Sequence, residues 1–303
     1  MDRLQAMEVF TRVVETSSFS KTADLLQLPR ASVSNIIQAL ELYVGVRLLN
    51  RTTRRVSVTE DGALYYDRCV RILDEITDAE STLASKRRDP VGVVRVDTSG
   101  SFGKLMLPAL PDFYARYPGI ELRIGLADRM IDLIQDGVDC VIRLGALEDS
   151  SLIVRKIGSA RVTTCAAPSY LQQHGVPATL EELRGHRAVN YFSARSGKQL
   201  SFTFELEGGE TASVPLPGIV AVNDGDAYVN AGVIGLGIIQ PPRFMAAPFI
   251  EEGALTEILT GEHSPPTPLS VLYPPTRNIA SRVRVFSDWV ADLCARNPDL
   301  RIP

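Results

Sequence analysis

The stretch Phe19-Ser20-Lys21-Thr22-Ala23-Asp24-Leu25-Leu26-Gln27-Leu28-Pro29-Arg30-Ala31-Ser32-Val33-Ser34-Asn35-Ile36-Ile37-Gln38-Ala39-Leu40-Glu41 decides the fold of this chain. It reads as two short helices joined by a tight turn at Gln27-Leu28-Pro29. In the second helix Val33, Ile36, Ile37 and Leu40 recur at i, i+3, i+4 and i+7, which is one buried face. Arg30, Ser32, Ser34, Asn35 and Gln38 fall on or beside the outward arc. Two helices at a tight turn, with small polar and basic side chains on the outer edge of the second, fit the major groove of DNA. For the first helix, Ser20 is read as the N-cap with Phe19 as a hydrophobic staple before it, and Leu25, Leu26 and Leu28 as the buried side.

Working outward, Asp2 caps an earlier helix with Gln5 three residues on, a capping-box pattern. Leu4, Met7, Phe10, Val13 and Val14 supply its apolar face to about Glu15. Gly45 ends the third helix. Beyond it, Arg51-Thr52-Thr53-Arg54-Arg55 is a basic hairpin, and Val56 and Val58 alternate with Ser57 and Thr59 as a short wing strand. Thr59 then caps a long helix with Glu60 and Asp61 in its first turn, where the helix dipole favours acids. Tyr65, Cys69, Ile72, Ile76, Ala79 and Leu83 recur at steps of four and three, flanked by Tyr66, Val70 and Leu73. That pattern is a coiled-coil seam running to about Lys86, and the helix is expected to dimerise; the alternative is a helix lying on a globular core. Arg87-Arg88-Asp89-Pro90 breaks it.

Composition bounds the rest. The 303 residues suit two or three compact units, and 45% hydrophobic with 22% charged content is that of an ordinary globular protein. The net charge of -4 conceals an asymmetry: residues 1–59 hold eight basic and five acidic side chains, a net of +3, which leaves -7 for the remainder. A basic head on an acidic body suits a polyanion-binding head. The longest apolar runs, such as Val233–Ile239, fall short of the roughly 20 residues that span a bilayer, and the N-terminus lacks the apolar core of a signal peptide. A cytoplasmic location without membrane contact is expected. Cys69, Cys140, Cys165 and Cys294 form no C-x-x-C pair, and His174, His186 and His263 are scattered. No metal site and no resident cofactor are expected.

From Val91 the pattern alternates. Strands are read at Val91–Val96, Ile120–Leu126 and Cys140–Arg143, with helices at Lys104–Tyr117 and Met130–Gln135. After an extended crossover at Arg161–Ala167, Pro168-Ser169-Tyr170-Leu171 opens a second unit. It holds a helix at Leu180–Leu183, strands at Ala188–Phe192, Phe202–Phe204 and Ile219–Val222, a helix at Asp226–Ala231 and a strand at Ile238-Ile239. Leu269–Tyr273 and the helix Ile279–Ala295 return to the first unit. This order implies an α/β protein with a parallel sheet covered by helices, and two lobes with a ligand cleft between them.

The chain resembles the LysR-type transcriptional regulators over its whole length. Ser18–Gln38, Ala39-Leu40-Glu41, Gly45-Val46-Arg47-Leu48-Leu49-Asn50-Arg51-Thr52 and Thr59-Glu60-Asp61-Gly62 are similar to the family's N-terminal signature. Asp139-Cys140-Val141-Ile142-Arg143-Leu144-Gly145, Val222-Asn223-Asp224-Gly225 and Gly235-Leu236-Gly237-Ile238-Ile239 are similar to its effector domain. The resemblance implies a winged helix-turn-helix domain (1–59), a linker helix (60–88) and a two-lobed, periplasmic-binding-protein-like effector domain (91–303). Lobe I would be 91–163 with 266–303, and lobe II 164–265. It also implies a homodimer or homotetramer, double-stranded promoter DNA as partner, a small organic acid as effector, and RNA polymerase nearby. One departure stands out. Where the family commonly has Ser-Gln-Pro-Ala, this chain has Pro29-Arg30-Ala31-Ser32, and Asn35 stands where arginine is frequent, so the bases read are expected to differ.

The candidate DNA-binding residues are Ser20, Arg30, Ala31, Ser32, Ser34, Asn35, Gln38, Arg51, Arg54 and Arg55. Arg30 suits a guanine edge and Asn35 or Gln38 an adenine, while the hairpin arginines suit phosphates or the minor groove. In the sensor, Ser99-Gly100-Ser101-Phe102-Gly103 joins a strand to a helix, and in the family this turn contacts the inducer. Ser99, Ser101 and Phe102 are therefore candidate effector residues. The turn is no P-loop, because Thr98 and Leu105 stand where that motif needs Gly and Ser or Thr. Arg143 meets either an effector carboxylate or a nearby Asp. Asn223 and Asp224 either bind the effector or cap the helix that follows. Two other functions remain open at this point: a thiol sensor pairing Cys140 with Cys165, and an α/β enzyme with a DNA-binding head. No nucleophile elbow or Ser-His-Asp set supports the enzyme, and non-enzymatic function is expected.

Overall fold

The computed structural model describes residues 1–51, 56–83, 90–126, 133, 136–145, 152–193, 197–206, 208–275 and 279–302. The chain divides into two compact units, Met1–Gly92 and Val93–Pro303.

In the first unit α1 (Arg3–Thr16) is capped by Asp2, whose carboxylate accepts from the amides of Leu4 and Gln5 at 3.0 and 3.3 Å. It ends at Ser17, which takes the left-handed conformation. Its buried face is Ala6, Val9, Phe10 and Val13, so Leu4, expected inside, is turned to solvent. Then follow α2 (Phe19–Leu25), α3 (Arg30–Val44), β1 (Leu49–Arg51), β2 (Val56–Val58) and α4 (Glu60–Leu83). The cap of α2 is Ser18, not Ser20. Ser18 is extended and its hydroxyl accepts from the Lys21 amide, which draws Phe19 into the helix. Leu25 is 65% exposed, and the inward face of α2 is Thr22 and Ala23, with Leu26 and Leu28 packed at its end.

Val33, Ile37 and Leu40 of α3 are buried, and Gly45 closes the helix at φ 79°. The Glu41 carboxylate accepts from the amides of Leu48 and Leu49 (2.9 and 3.1 Å), tying the end of α3 to the wing. β1 and β2 pair antiparallel. Thr59 caps α4, its hydroxyl accepting from the Gly62 amide at 2.9 Å. The seam expectation changes here. Cys69 is fully buried in the core of this unit, and Tyr65 packs on Phe10 at 5.6 Å between ring centroids. The front of α4 therefore lies on α1, as the alternative reading had it. Ile72 is exposed and Ile76 half-buried; the side chains of Ala79 and Leu83 lie outside the described residues.

The second unit opens with β3 (Gly92–Thr98), α5 (Gly100–Met106), a 3-10 turn at Leu107–Ala109, α6 (Leu110–Arg116), β4 (Ile120–Leu126), β5 (Cys140–Leu144) and β6 (Ile153–Ala160). The single helix expected over 104–117 is broken in two because Pro108 and Pro111 start new turns, each lacking an amide to continue the old one. The helix expected at Met130–Gln135 falls largely outside the described residues. There follow β7 (Cys165–Ala166), α7 (Pro168–His174), α8 (Leu180–Leu183), β8 (Val189–Phe192), β9 (Gln199–Leu200), β10 (Phe202–Glu205), β11 (Thr211–Val214), β12 (Val220–Val222), α9 (Gly225–Val233), α10 (Arg243–Glu251), β13 (Thr256–Glu257), β14 (Thr267–Tyr273) and α11 (Ser281–Arg296).

The five-stranded sheet runs β4-β3-β5-β14-β6. β3 and β5 are parallel, but β14 is antiparallel to both β5 and β6, so the sheet is mixed, not wholly parallel. Its core joins Val94, Val96, Phe102, Phe113, Ile142 and Val271 to Phe286, Trp289 and Val290 of α11. Smaller sheets, β12-β8-β9, β10-β11 and β13-β7, surround separate cores that include Phe202, Phe204 and Ile258, and Val189, Tyr228 and Leu255. Ile238 and Ile239 make isolated bridges to Ala188 and Cys165, where a strand was expected.

Candidate functional site

In the first unit the turn between α2 and α3 is built by Gln27 at positive φ and by the Leu28 amide, which donates to Ala23 O at 2.9 Å. Pro29 follows and starts α3 without a side-chain cap. Ala31, Asn35 and Gln38 stand exposed at i, i+4 and i+7, diametrically away from the buried Val33, Ile37 and Leu40, and Arg30 is exposed at the first turn. Ser32 and Ser34 of the same helix are half-buried at the margin of that face, and Ser20 is half-buried on α2. Of the candidate reading residues, Arg30, Ala31, Asn35 and Gln38 thus share the exposed side of α3. Arg54, Arg55 and the side chain of Arg51 lie outside the described residues.

In the second unit the turn after β3 is a capped strand-to-helix turn. Ser99 is extended and its hydroxyl accepts from the Phe102 amide at 3.3 Å. Phe102 is 1% exposed and belongs to the core of the five-stranded sheet, so its ring is a packing group there and not the open effector contact expected of it. The apolar ring is the plug of the turn: a buried phenylalanine removes its whole face from water. Ser101 is buried against the start of α9; a Cβ on Gly225 would stand 2.7 Å from Ser101 Oγ. Beside it Lys104 Nζ pairs with Asp226 Oδ2 at 2.9 Å. α5 and α9 therefore meet at their N-terminal turns.

Arg143 donates to Asp97 Oδ1 at 2.8 Å, and Asp97 is buried. Of its two readings, the structure takes the pair with a nearby Asp. Asp224 caps α9, accepting from the Ala227 amide at 2.8 Å, which is its helix-capping reading. Asn223 is exposed and its carbonyl accepts from Tyr191 OH at 3.0 Å. Among the described residues, Thr98 Oγ1 is a buried hydroxyl with no hydrogen-bond partner, directly before Ser99. Sequence reasoning missed Asp97, Lys104 and Asp226 as site residues, and took Gly225 only as part of a family-like stretch. Of the three missed, only Lys104, one residue past the glycine of the turn, carried a local signal.

The four cysteines are free and buried. Burial pushes the thiols up, Cys69 to about 11 and Cys165 and Cys294 to about 12, with Cys140 higher still. Cys140 belongs to the five-stranded sheet's core and Cys165 to a different one. A sensing thiol is exposed and ionised near neutral pH; these are neither, so the structure gives the thiol-sensor reading no support. Among the described residues no helix is long and apolar enough to cross a membrane, and no group of three or more His, Cys, Asp or Glu side chains is placed to hold a metal ion.

A family model described as "Bacterial regulatory helix-turn-helix protein, lysR family" matches residues 4–63, and one described as "LysR substrate binding domain" matches residues 87–295. The chain belongs to the LysR family of transcriptional regulators. An HTH-type transcriptional repressor of Pseudomonas aeruginosa is 39% identical over all of this chain and 95% of its own length. The HTH-type transcriptional activator AaeR of Escherichia coli is 35% identical, covering 96% of this chain and 94% of its own. The solved structure of CrgA, a LysR-type regulator from Neisseria meningitidis, is 34% identical with a TM-score of 0.59, covering 95% and 97%. This LysR-type regulator thus carries a helix-turn-helix DNA-binding domain and an effector-binding domain of mixed α/β fold.

Proposed function

We propose that the α3 face Arg30, Ala31, Asn35 and Gln38 enters the major groove of promoter DNA and reads base edges there. The single observation that carries this is the exposure of those four residues opposite a buried Val33-Ile37-Leu40 stripe. Arg30 takes a guanine through O6 and N7, and Asn35 or Gln38 an adenine, each pair worth roughly 1–3 kcal/mol of discrimination. Ser20, Ser32 and Ser34 hold the flanking backbone, and Arg51, Arg54 and Arg55 neutralise phosphates. The protein acts as a homodimer or homotetramer through the part of α4 beyond the buried Cys69, where Ile72 is exposed, so paired readers span two half-sites and place RNA polymerase under their influence.

The effector is a small organic acid held between a lobe of residues 91–163 with 266–303 and a lobe of residues 164–265. Ser99 and Ser101 offer hydroxyls to it, and its carboxylate competes with Asp226 for Lys104. Arg143 and Asn223 stand behind. Binding changes the relative orientation of the lobes and, through the dimer, the spacing of the readers on DNA.

Selection of genomic fragments by the purified chain, followed by footprinting with and without a panel of organic acids, tests both halves. A protected site with two half-sites about one helical turn or a multiple apart is expected. Arg30→Ala should relax preference at one base pair, and Arg54→Ala should weaken all sequences alike while lowering the salt slope by about one. No sequence preference at any salt would overturn the reading.

A further inference from the structure

Between its two groups of cores the sensor chain crosses at Arg161–Thr163 and again at Pro241–Arg243, and the two crossings are bonded to each other. The Thr163 amide donates to Pro241 O at 3.0 Å and the Arg243 amide to Arg161 O at 2.7 Å, around a bridge between Val162 and Pro242. The Arg243 guanidinium stands over this crossing and is shared by two carboxylates. Its Nε donates to Glu257 Oε1 at 3.0 Å, and its NH1 donates to Asp299 Oδ2 at 3.0 Å and Oδ1 at 3.3 Å. Arg161 reaches the same Asp299 at 3.4 Å, and the Thr163 hydroxyl donates to Glu257 at 2.8 Å. The set is charge-balanced, two arginines with two carboxylates, and Asp299 is 5% exposed.

The two carboxylates are anchored in different cores. Asp299 precedes Leu300, which is fully buried in the core of the five-stranded sheet and whose carbonyl accepts from the Ser159 amide at 2.7 Å. Glu257 lies on β13 between Leu255 and Ile258, both buried in the cores of the smaller sheets. Arg243 opens α10, whose Phe244 packs on the first core and whose Met245, Ala246 and Phe249 pack on the second. Ion pairs that served one core alone would not need this shared cation.

We propose that Arg243 is an ionic clamp at the crossing: by holding Asp299 and Glu257 together it fixes the angle between the two halves of the sensor. Changing that angle requires one arm to break. Asp299 is buried, and parting it from Arg243 leaves it only the more distant Arg161, which is costly, so the clamp favours discrete orientations over a continuum. This rests on the reading of the sensor as a two-lobed domain and adds the residue that sets its hinge.

The test is a mutant cycle in the full chain: Asp299→Asn, Glu257→Gln, the pair together, and Arg243→Met. The readout is hydrogen exchange at the Thr163 and Cys165 amides of the crossing, with Val141 and Val271 in the centre of the five-stranded sheet as the control. Each single change should speed exchange at the crossing several-fold and leave the control amides unmoved, because opening there is local. The double variant and Arg243→Met should match either single, since one broken arm already frees the hinge. Multiplying effects would mean two independent ion pairs and overturn the clamp. Faster exchange at Val141 and Val271 to the same degree would mean general stabilisation and also overturn it, as would no change. A spin-label pair at Glu121→Cys and Glu181→Cys, both exposed positions, should broaden in distance with Arg243→Met; an unchanged distribution would defeat the proposal. None of these readouts needs DNA or effector, so a failed footprint and a failed clamp are told apart.

Discussion

The DNA-reading unit and the sensor unit treat their polar residues in opposite ways. On α3, Arg30, Asn35 and Gln38 stand where the helical period puts them, outward and opposite the buried stripe. In the sensor, polar residues of the same apparent promise are drawn into the protein's own structure. Asp224 caps α9, Ser99 caps α5, and Arg143 meets Asp97 from 46 positions away. The reader is a small helical unit whose inside and outside are set by contacts between neighbouring helices. The sensor is a mixed sheet whose side chains find partners from distant segments, so a residue's local appearance says little about its use.

The sharpest way to break this contrast is Phe102→Ala. If Phe102 serves the core, its truncation should cost about 3–5 kcal/mol and lower the thermal unfolding midpoint strongly, with early loss of exchange protection at Val271. A full-strength midpoint with altered effector response would return Phe102 to the cleft and weaken the comparison. The reader has its own intolerant point. A Cβ on Gly62 would lie 2.0 Å from Leu48 O, a backbone atom that cannot swing aside. Gly62→Ala should cost about 1–3 kcal/mol, seen as lost protection at Ile37 with Val271 unaffected. Equal loss in both units would mean that they unfold together.

Much of the fold was legible because period and punctuation coincide. The α3 stripe, the Gly45 stop, the Thr59 cap and β4 at Ile120–Leu126 all follow from local chemistry. What was not legible depended on long-range pairing or on competition between equivalent signals. β6 was overlooked because its exposed first half, Ile153-Val154-Arg155-Lys156, shows no alternation of buried and exposed sides. α10 was hidden by Pro248 inside it. The antiparallel β14 could not be told from a parallel strand, since direction is set by the partner. The coiled-coil seam and the core of the reader share Tyr65 and Cys69, and packing on α1 claimed them. In the sensor site, Lys104 and Asp226 meet across more than a hundred residues, beyond any spacing rule.

The caps offer a finer comparison. Ser18 and Ser20 look alike in sequence, but only the Ser18 hydroxyl receives the Lys21 amide of α2. Ser18→Ala should therefore cost about 1 kcal/mol and Ser20→Ala close to nothing, read from chemical unfolding of the full chain. In the sensor, Asp224→Ala should cost a similar amount while Asp224→Asn should not, because an amide oxygen still accepts from Ala227. Were Asp224→Asn to impair effector response at full stability, the ligand reading of that residue would be restored.

The smallest effect concerns the sensor's charge. Burial alone would raise the Glu257 carboxyl, but hydrogen bonds from Arg243 and Thr163 together with their charge environment hold it below its ordinary value of 4.5. A depressed carboxyl binds its proton more weakly folded than unfolded, so its contribution is present above about pH 4.5 and is lost as pH falls through the folded value. The carboxylate is part-exposed, so the contribution stays below about 1 kcal/mol. Unfolding free energy followed downward from neutral pH should fall in the acid limb, and Glu257→Gln should flatten that fall without altering the plateau's slope. If the acid limb is identical in the variant, the Glu257–Arg243 pair positions its segments without measurably adding to global stability. That outcome would sharpen the contrast with the reader, whose stability comes from its buried stripe.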